Sequence, residues 1–178
     1  EPKMAREMTD AFTQRRVRKS YIAIARGILP ETSLIDYPLK EAIDRYGDPL
    51  ANPNKPAQEA VTRIERLSTH EVPAPVGRYP TARYSVAKIQ PETGRKHQIR
   101  RHLKHIFHPI VGDTTHGDGA QNQFFRNYFG ADRLMLHAHA LTFEHPGTQD
   151  LIQLESDTPE AMMRIINLMP ALSMPRSR

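Results

Sequence analysis

Basic side chains and imidazoles are concentrated in one short part of the chain, residues 93–112. Within it are five Lys or Arg and no Asp or Glu; the cations are Arg95, Lys96, Arg100, Arg101 and Lys104. A surface of one charge sign repels itself and attracts polyanions. The stretch therefore favours a binding site for an acidic partner over the alternative, a solvated helix face.

A second acid-free stretch, residues 11–30, adds Arg15, Arg16, Arg18, Lys19 and Arg26. Together the two stretches hold 10 of the 25 Lys and Arg and none of the 20 Asp and Glu, so the rest of the chain is acidic although the formal net charge is +5. We expect the two segments to converge into one groove that binds nucleic acid. Two separate solvated faces are the alternative. A membrane surface is disfavoured because neither segment is a long amphipathic helix.

Composition limits the remaining choices. The 178 residues, 38% of them hydrophobic, suffice for one domain with its own core. Cysteine is absent, which excludes disulfides and thiolate metal sites and is compatible with a reducing cytoplasm. No run approaches the roughly 18 apolar residues of a membrane span.

Periodicity predicts an α+β fold, a mixed and mostly antiparallel sheet with flanking helices. Helices are predicted at residues 3–14, 95–106 (with Thr93 as N-cap), 121–128 and 158–168 (with Thr158 as N-cap and Ala161, Ile165 and Leu168 inward). Strands are predicted at 19–28, 33–39, 81–89, 134–145 and 151–155. Residues 60–67 are ambiguous, because Val61, Ile64 and Leu67 have helical spacing whereas β-branched residues and flanking prolines favour a strand. Residues 45–56 and 71–80 are predicted as loops.

The blocks Thr93-Gly94-Arg95-Lys96-His97-Gln98-Ile99-Arg100 and His108-Pro109-Ile110-Val111-Gly112-Asp113 closely resemble a signature of the large-subunit-type (RluA) pseudouridine synthases. Three shorter segments agree in order and spacing: Arg18-Lys19-Ser20-Tyr21-Ile22-Ala23, Ile35-Asp36-Tyr37-Pro38-Leu39 and Arg133-Leu134-Met135-Leu136-His137-Ala138. The run 101–119 is most similar to a tRNA-specific branch. The first block is specific, whereas the short segments alone would be weak.

The resemblance implies a cytoplasmic enzyme that isomerises uridine to pseudouridine in RNA without a cofactor. The target nucleotide is flipped out of its stack, as an enzyme acting on a base requires. The implied partner is tRNA, with rRNA as the alternative and with neither a membrane nor an obligate protein partner.

Several residues acquire roles from the resemblance. Tyr21 matches a tyrosine that stacks on the flipped base; the alternative is a strand tyrosine anchored through its hydroxyl. Arg100 matches an arginine that pairs with a catalytic aspartate, and Leu136, or Leu134, matches a platform beneath the base. Phosphate contacts are expected from Arg18, Lys19, Arg95, Lys96, Arg101 and Lys104. His97 and Gln98 are expected to tie the turn together by hydrogen bonds.

The family's catalytic aspartate lies in an Arg-Leu-Asp motif, and no such tripeptide occurs in this chain. Neither Asp10 nor Asp36 matches it. We expect residues 1–170 to form the C-terminal portion of the catalytic domain and 171–178 a disordered tail. The nucleophile would then lie upstream, the 178 residues alone would be inactive, and Arg100 would be left as an unpaired buried charge.

Nine histidines raise the question of a metal site. His102 and His105 are three residues apart, and His137 and His139 share a strand face. Without cysteine or a His-Glu-x-x-His arrangement, we predict no metal. Two other functions remain as alternatives: a non-catalytic RNA-binding module and a metal-dependent hydrolase that uses the histidines.

Overall fold

A six-stranded antiparallel sheet organises the chain. The computed structural model describes residues 2–41 and 54–172. The strand order is β2-β3-β4-β1-β5-β6, and every neighbouring pair is antiparallel. The strands are β1 (Arg18–Arg26), β2 (Thr32–Asp36), β3 (Val61–Val72), β4 (Ala82–Pro91), β5 (Leu136–Glu144) and β6 (Leu151–Glu155). The expected α+β class is confirmed.

Four helices flank the sheet in the described part of the chain: α1 (Pro2–Thr13), α2 (Gln98–His105), α3 (Gly119–Phe129) and α4 (Glu160–Leu168). Asp118 caps α3 by accepting hydrogen bonds from the N–H groups of Ala120 and Gln121. None of these helices is long and apolar enough to cross a membrane.

The core lies around the middle of β1, which pairs with β4 on one side and β5 on the other. Residues 22–25 are buried consecutively, so both faces of β1 are covered there. The register aligns Tyr21 with Ile89 of β4 and with Ala138 of β5. Tyr21 therefore lies at the edge of the core, where β1 leaves it.

The ambiguous stretch 60–67 is a strand, and β3 extends through Val72 into a segment predicted as loop. The register between β3 and β4 shifts between Arg66 and Ser68. This irregularity interrupts the regular alternation of side chains between the two faces of the strand. Ile64 is buried whereas Leu67 is 51% exposed, so their helical spacing was misleading.

Two helix starts differ from prediction. Helix α2 begins at Gln98 instead of residue 95, because the Thr93 hydroxyl is engaged with Gln98 and with the backbone of β3 and does not cap the helix. In α4 the N-cap position is Pro159 rather than Thr158. The inward residues of α4 are Met162 and Ile165, followed by the buried Met169 just after the helix; Ala161 and Leu168 are exposed.

Two residues of the predicted tail pair with β3. Ala171 forms an isolated bridge with His70, and the Leu172 N–H donates to the Thr69 carbonyl. Residues 173–178 lie outside the described residues, as does most of the predicted loop 45–56.

Candidate active site

A cavity of about 260 Å³ lies where β1, β5 and the β4–α2 turn meet. It is named here the central cavity. Tyr21 from β1, Arg100 from α2 and Leu136 from β5 all line it. The sheet brings the two strand residues together because β1 and β5 are adjacent, whereas Arg100 arrives from the helix that follows β4. Three residues that sequence resemblance singled out thus share one cavity.

Tyr21 is placed at an irregularity of the sheet. The register between β1 and β5 shifts between Ser20 and Tyr21, so His139 is skipped in the pairing. Such bulges redirect side chains and are common beside active sites. The Tyr21 hydroxyl has no hydrogen-bond partner among the described residues. The alternative of a strand tyrosine anchored through its hydroxyl is therefore not supported.

Arg100 is held by Asp113 in a two-pronged ion pair. Its Nε donates to Oδ2 of Asp113 at 2.7 Å and its Nη2 donates to Oδ1, also at 2.7 Å. The Arg100 side chain is 17% exposed and that of Asp113 only 1%. This geometry matches the rigid fork of guanidinium to a planar carboxylate. The expectation that Arg100 lacks a partner is wrong.

Asp113 is fixed from its other side by the turn that follows it. Its Oδ1 also accepts hydrogen bonds from the backbone N–H groups of Thr115 and His116, at 2.9 and 2.8 Å. Burial alone would raise the pKa of Asp113, but the hydrogen bonds from Arg100 and the two amides outweigh it and lower this pKa to about 2. Asp113 is therefore ionised at neutral pH.

Part of the Arg100 guanidinium remains available. A guanidinium has five N–H bonds in three groups, and Asp113 engages Nε and one N–H of Nη2. The Nη1 group has no acceptor among the residues that the structure describes. A carboxylate or phosphate entering the central cavity could accept hydrogen bonds from this edge.

The turn before α2 is held by Gln98. Its Oε1 accepts from the Thr93 hydroxyl at 2.7 Å and from the Arg95 N–H at 2.9 Å. Its Nε2 donates to the Val61 carbonyl and to the Thr62 hydroxyl. The amide therefore uses both its donors and its acceptor while 4% exposed. The expected tying role of Gln98 is confirmed, and it links the turn to β3.

His97 contributes to the same turn differently. It adopts the left-handed conformation, with φ of 53°, at the residue before α2. Its Nδ1 lies 3.2 Å from Nε2 of His116, the residue whose N–H holds Asp113. Burial is the main cause that lowers the pKa of His116.

A larger cavity of about 510 Å³, named here the basic cavity, adjoins the central cavity. Lys19, Thr93, Gly94 and Arg95 line both of them. Lys19 comes from the first acid-free stretch and Arg95 from the second, so the two basic segments meet through these residues; binding of nucleic acid there stays a prediction. Burial lowers the pKa of Lys19.

Other predicted site residues lie elsewhere. In the part of the chain that the structure describes, neither cavity is lined by Arg18, Lys96, Arg101, Lys104 or Leu134. Leu134 is partly buried and packs against the core, which leaves Leu136 as the leucine at the cavity.

No carboxylate among the described residues lines the central cavity. Asp36 is at the end of β2, which β3 and β4 separate from β1, so it is about 14 Å from Tyr21 across the sheet alone. Asp10 lies on α1 and is exposed. Asp113 reaches the cavity only through Arg100.

The histidines are engaged in the fold. His102 contacts the Thr62 hydroxyl and the Tyr37 carbonyl. His137 and His139 both contact the Ser156 carbonyl. Among the residues described, no three His, Asp or Glu side chains gather as metal ligands would.

The site thus offers an aromatic and an aliphatic side chain for a flat ring and a fixed guanidinium for an anion. Beside them lie Lys19 and Arg95, which have no ion-pair partner among the described residues. A sequence model of the RNA pseudouridylate synthase family matches residues 1–105. The chain therefore belongs to the RNA pseudouridylate synthase family.

Individual relatives agree with this assignment. The chain is 45% identical over 164 residues to tRNA pseudouridine synthase C from Vibrio cholerae, which covers 92% of this chain and 67% of that protein. The enzyme of the same name from Haemophilus influenzae is 44% identical, over 92% of this chain and 69% of that protein. The chain thus spans about two thirds of the length of these relatives.

A solved structure supports the fold. Human RNA pseudouridylate synthase domain containing 1 superposes with a TM-score of 0.69 at 23% identity, covering 97% of this chain and 67% of that one.

Proposed function

We propose that the protein containing this chain isomerises uridine to pseudouridine in tRNA, in the cytoplasm. The observation that carries this proposal is that Tyr21, Leu136 and the Asp113-held Arg100 line one cavity together with the cations Lys19 and Arg95. The sequence relatives that share most of the chain are named as tRNA enzymes, which favours tRNA over rRNA.

The reaction is an isomerisation and needs no external electrons. The bond between N1 of uracil and C1′ of ribose breaks, the base rotates, and C5 bonds to C1′. The C5 proton is lost and N1 gains one, so atoms and charge balance. A chain that performs it must bind the extruded base, let it turn and handle one proton.

The residues of the central cavity suit these tasks. Tyr21 and Leu136 offer an aromatic and an aliphatic surface against which a flipped uracil packs. The Tyr21 hydroxyl, which has no described partner, is available to the base or to a proton in transit. The free edge of Arg100 orients the nucleophilic carboxylate, which we place in a part of the protein outside the residues described here.

Phosphates of the flipped strand are bound by Lys19 and Arg95, since both line the central and basic cavities. Recognition through phosphates positions the RNA without reading its sequence. The predicted phosphate contacts of Arg18, Lys96, Arg101 and Lys104 belong, in this proposal, to RNA further from the target nucleotide.

Release of tritium from tRNA labelled at uridine C5 tests the proposal, because C5 loses its hydrogen only when the new bond forms. The full-length protein and the 178-residue chain should be compared on the same unmodified tRNA. Release by the full-length protein alone supports the proposal and an upstream nucleophile. If neither releases tritium from tRNA or from rRNA although both bind RNA, the protein is an RNA-binding module.

Release by the 178-residue chain would contradict the upstream nucleophile and would point to a carboxylate within it. The same assay on rRNA transcripts separates the two RNA classes. Turnover of rRNA without turnover of tRNA would refute the choice of tRNA.

A further inference from the structure

The basic cavity contains an aromatic side chain that the proposed chemistry does not use. Phe12, near the end of α1, lines it together with Arg15, Lys19 and Arg95. The ring is 46% exposed, and the Lys19 ammonium lies 5.9 Å from its centroid. An exposed aromatic ring beside cations is the combination that single-stranded nucleic-acid sites use to stack bases and hold phosphates.

Two cations at the basic cavity lack an ion-pair partner among the described residues. Glu92 lines the cavity and pairs with Arg63, and Glu59 pairs with Arg15. Lys19 lies over the Phe12 ring, and Arg95 donates from Nε to the Glu59 carbonyl at 3.0 Å, but neither is in an ion pair with a described carboxylate. These two side chains line both the central and the basic cavity, so the positive charge is concentrated at their shared edge.

Gly94 lies at the same edge. A Cβ at this position would have one close neighbour, the Lys19 Nζ at 3.6 Å. The absence of a side chain therefore leaves the Lys19 ammonium and the turn backbone open to a bulky anion. The cavity volume of about 510 Å³ lies within the range of small-molecule binding sites, roughly 300–1,000 Å³.

We propose that the basic cavity is a second nucleotide subsite, which takes the residue next to the target uridine. Phe12 stacks on the neighbouring base, while Lys19 and Arg95, across Gly94, bind the phosphate that joins the two nucleotides. This inference rests on the proposed function. It adds that the RNA is unstacked over two consecutive nucleotides and that α1 takes part in binding.

A thermodynamic cycle between Phe12 and the RNA tests the subsite. The full-length protein and its Phe12→Ala variant bind a synthetic tRNA stem-loop that contains the target uridine, and versions with an abasic residue on its 5′ or 3′ side. Stacking on a half-exposed ring should make the wild-type protein lose roughly five- to tenfold in affinity for one of the two abasic RNAs. In Phe12→Ala the same abasic change should cost less than about twofold, because the stacking partner is already gone.

Met4→Ala is the matched control. Met4 lies on the same helix and is 43% exposed, but it faces the turn at Gly147. This variant should keep the wild-type abasic penalty, and Phe12→Tyr, which retains an aromatic ring, should keep it too. Equal abasic penalties in wild type and Phe12→Ala, at both neighbouring positions, would overturn the subsite.

Thermal unfolding without RNA tests whether another segment of the protein, rather than RNA, occupies the basic cavity. If another segment of the full-length protein fills the basic cavity, Phe12→Ala will lower the melting temperature more than Met4→Ala and show no dependence on the neighbouring base, which also overturns the proposal. Tritium release from intact tRNA is scored separately. Its absence together with Phe12–base coupling would refute catalysis and leave the subsite standing.

Discussion

Replacement of Asp113 by asparagine tests the ion pair that positions Arg100. The substitution keeps the shape of the side chain and removes its charge. The asparagine oxygen can still accept from one of the two guanidinium nitrogens that Asp113 engages. The asparagine NH2 group then faces the other nitrogen, and because both groups are donors no hydrogen bond forms there. Arg100, 17% exposed, then has an uncompensated charge and a poorly fixed orientation.

The loss of folding free energy expected for Asp113→Asn follows from two independent considerations. The pKa of Asp113 falls from 3.8 to about 2, and at 1.36 kcal/mol per pKa unit this corresponds to about 2 kcal/mol of folding free energy. Removing one partner of a fully buried ion pair costs roughly 3–5 kcal/mol. Because Arg100 borders an open cavity where water can partly solvate it, we expect a loss of about 2–3 kcal/mol. In a protein of this size this lowers the melting temperature by roughly 4–12 °C.

Unfolding and turnover of the full-length protein measure the two consequences. Asp113→Asn should lower the free energy of unfolding as stated, and lower kcat on tRNA by about 10- to 100-fold with little change in RNA affinity, because misplacing a catalytic group affects the transition state most. Glu92→Gln is the stability control, since the exposed Arg63–Glu92 pair should contribute less than about 1 kcal/mol.

A double variant decides whether the effects arise from the pair. Arg100→Met combined with Asp113→Asn removes both charges, so it should recover much of the lost stability without recovering turnover. If the two single losses of stability simply add, or if Asp113→Asn keeps wild-type kcat, the positioning argument is wrong.

Three further outcomes are expected. Tyr21→Phe in the full-length protein should abolish tritium release while tRNA binding persists; retained turnover would exclude a role for the hydroxyl. Gly112→Ala should prevent folding, as judged by soluble yield and circular dichroism, because φ is 79° and the added Cβ would collide with the Arg133 carbonyl. Gly130→Ala, with φ of 66° but open space, should fold and lose only about 1 kcal/mol. Because the pKa of Asp113 is lowered in the folded state, its carboxylate stabilises the fold fully above about pH 4, and this stabilisation is lost as the pH falls toward 2. In an acid titration monitored by circular dichroism, Asp113→Asn should therefore lose less folding stability over this window than the wild-type protein.

Sequence reasoning singled out residues that the fold places together. The resemblance pointed to Tyr21, Arg100 and Leu136 (or Leu134), and the first three, far apart in the chain, line one cavity. Charge counting predicted that the two basic segments could converge, and Lys19 and Arg95 line the same two cavities. Gln98 was predicted to tie its turn by side-chain hydrogen bonds, and it does so through Thr93 and Arg95. The identity of its other partners, on β3, required the sheet register.

The misses have specific physical causes. Asp113 stood in the quoted motif without a role, since its pairing with Arg100 depends on how the chain turns back after α2 over 13 residues. The start of α2 was misplaced because Thr93, a good capping residue, bonds instead to Gln98 and β3. Phe12 received no role from the sequence beyond its place in the predicted helix 3–14, yet it is half-exposed and lines the basic cavity.

The partner of Arg100 also bears on what this arginine contributes to the proposed reaction. Asp113 is ionised at neutral pH, so the Arg100–Asp113 pair carries no net charge. A third group, the nucleophilic carboxylate, would then gain little from long-range attraction, and an exposed aspartate is ionised at neutral pH without help. What the pair can supply is direction: the N–H donors of Nη1 lie on a guanidinium whose other edge is locked to the buried Asp113 carboxylate. That carboxylate is itself fixed by hydrogen bonds from the backbone N–H groups of Thr115 and His116. In the proposed reaction, the turn from Asp113 to His116 therefore acts by positioning Arg100, although none of its residues lines the central cavity.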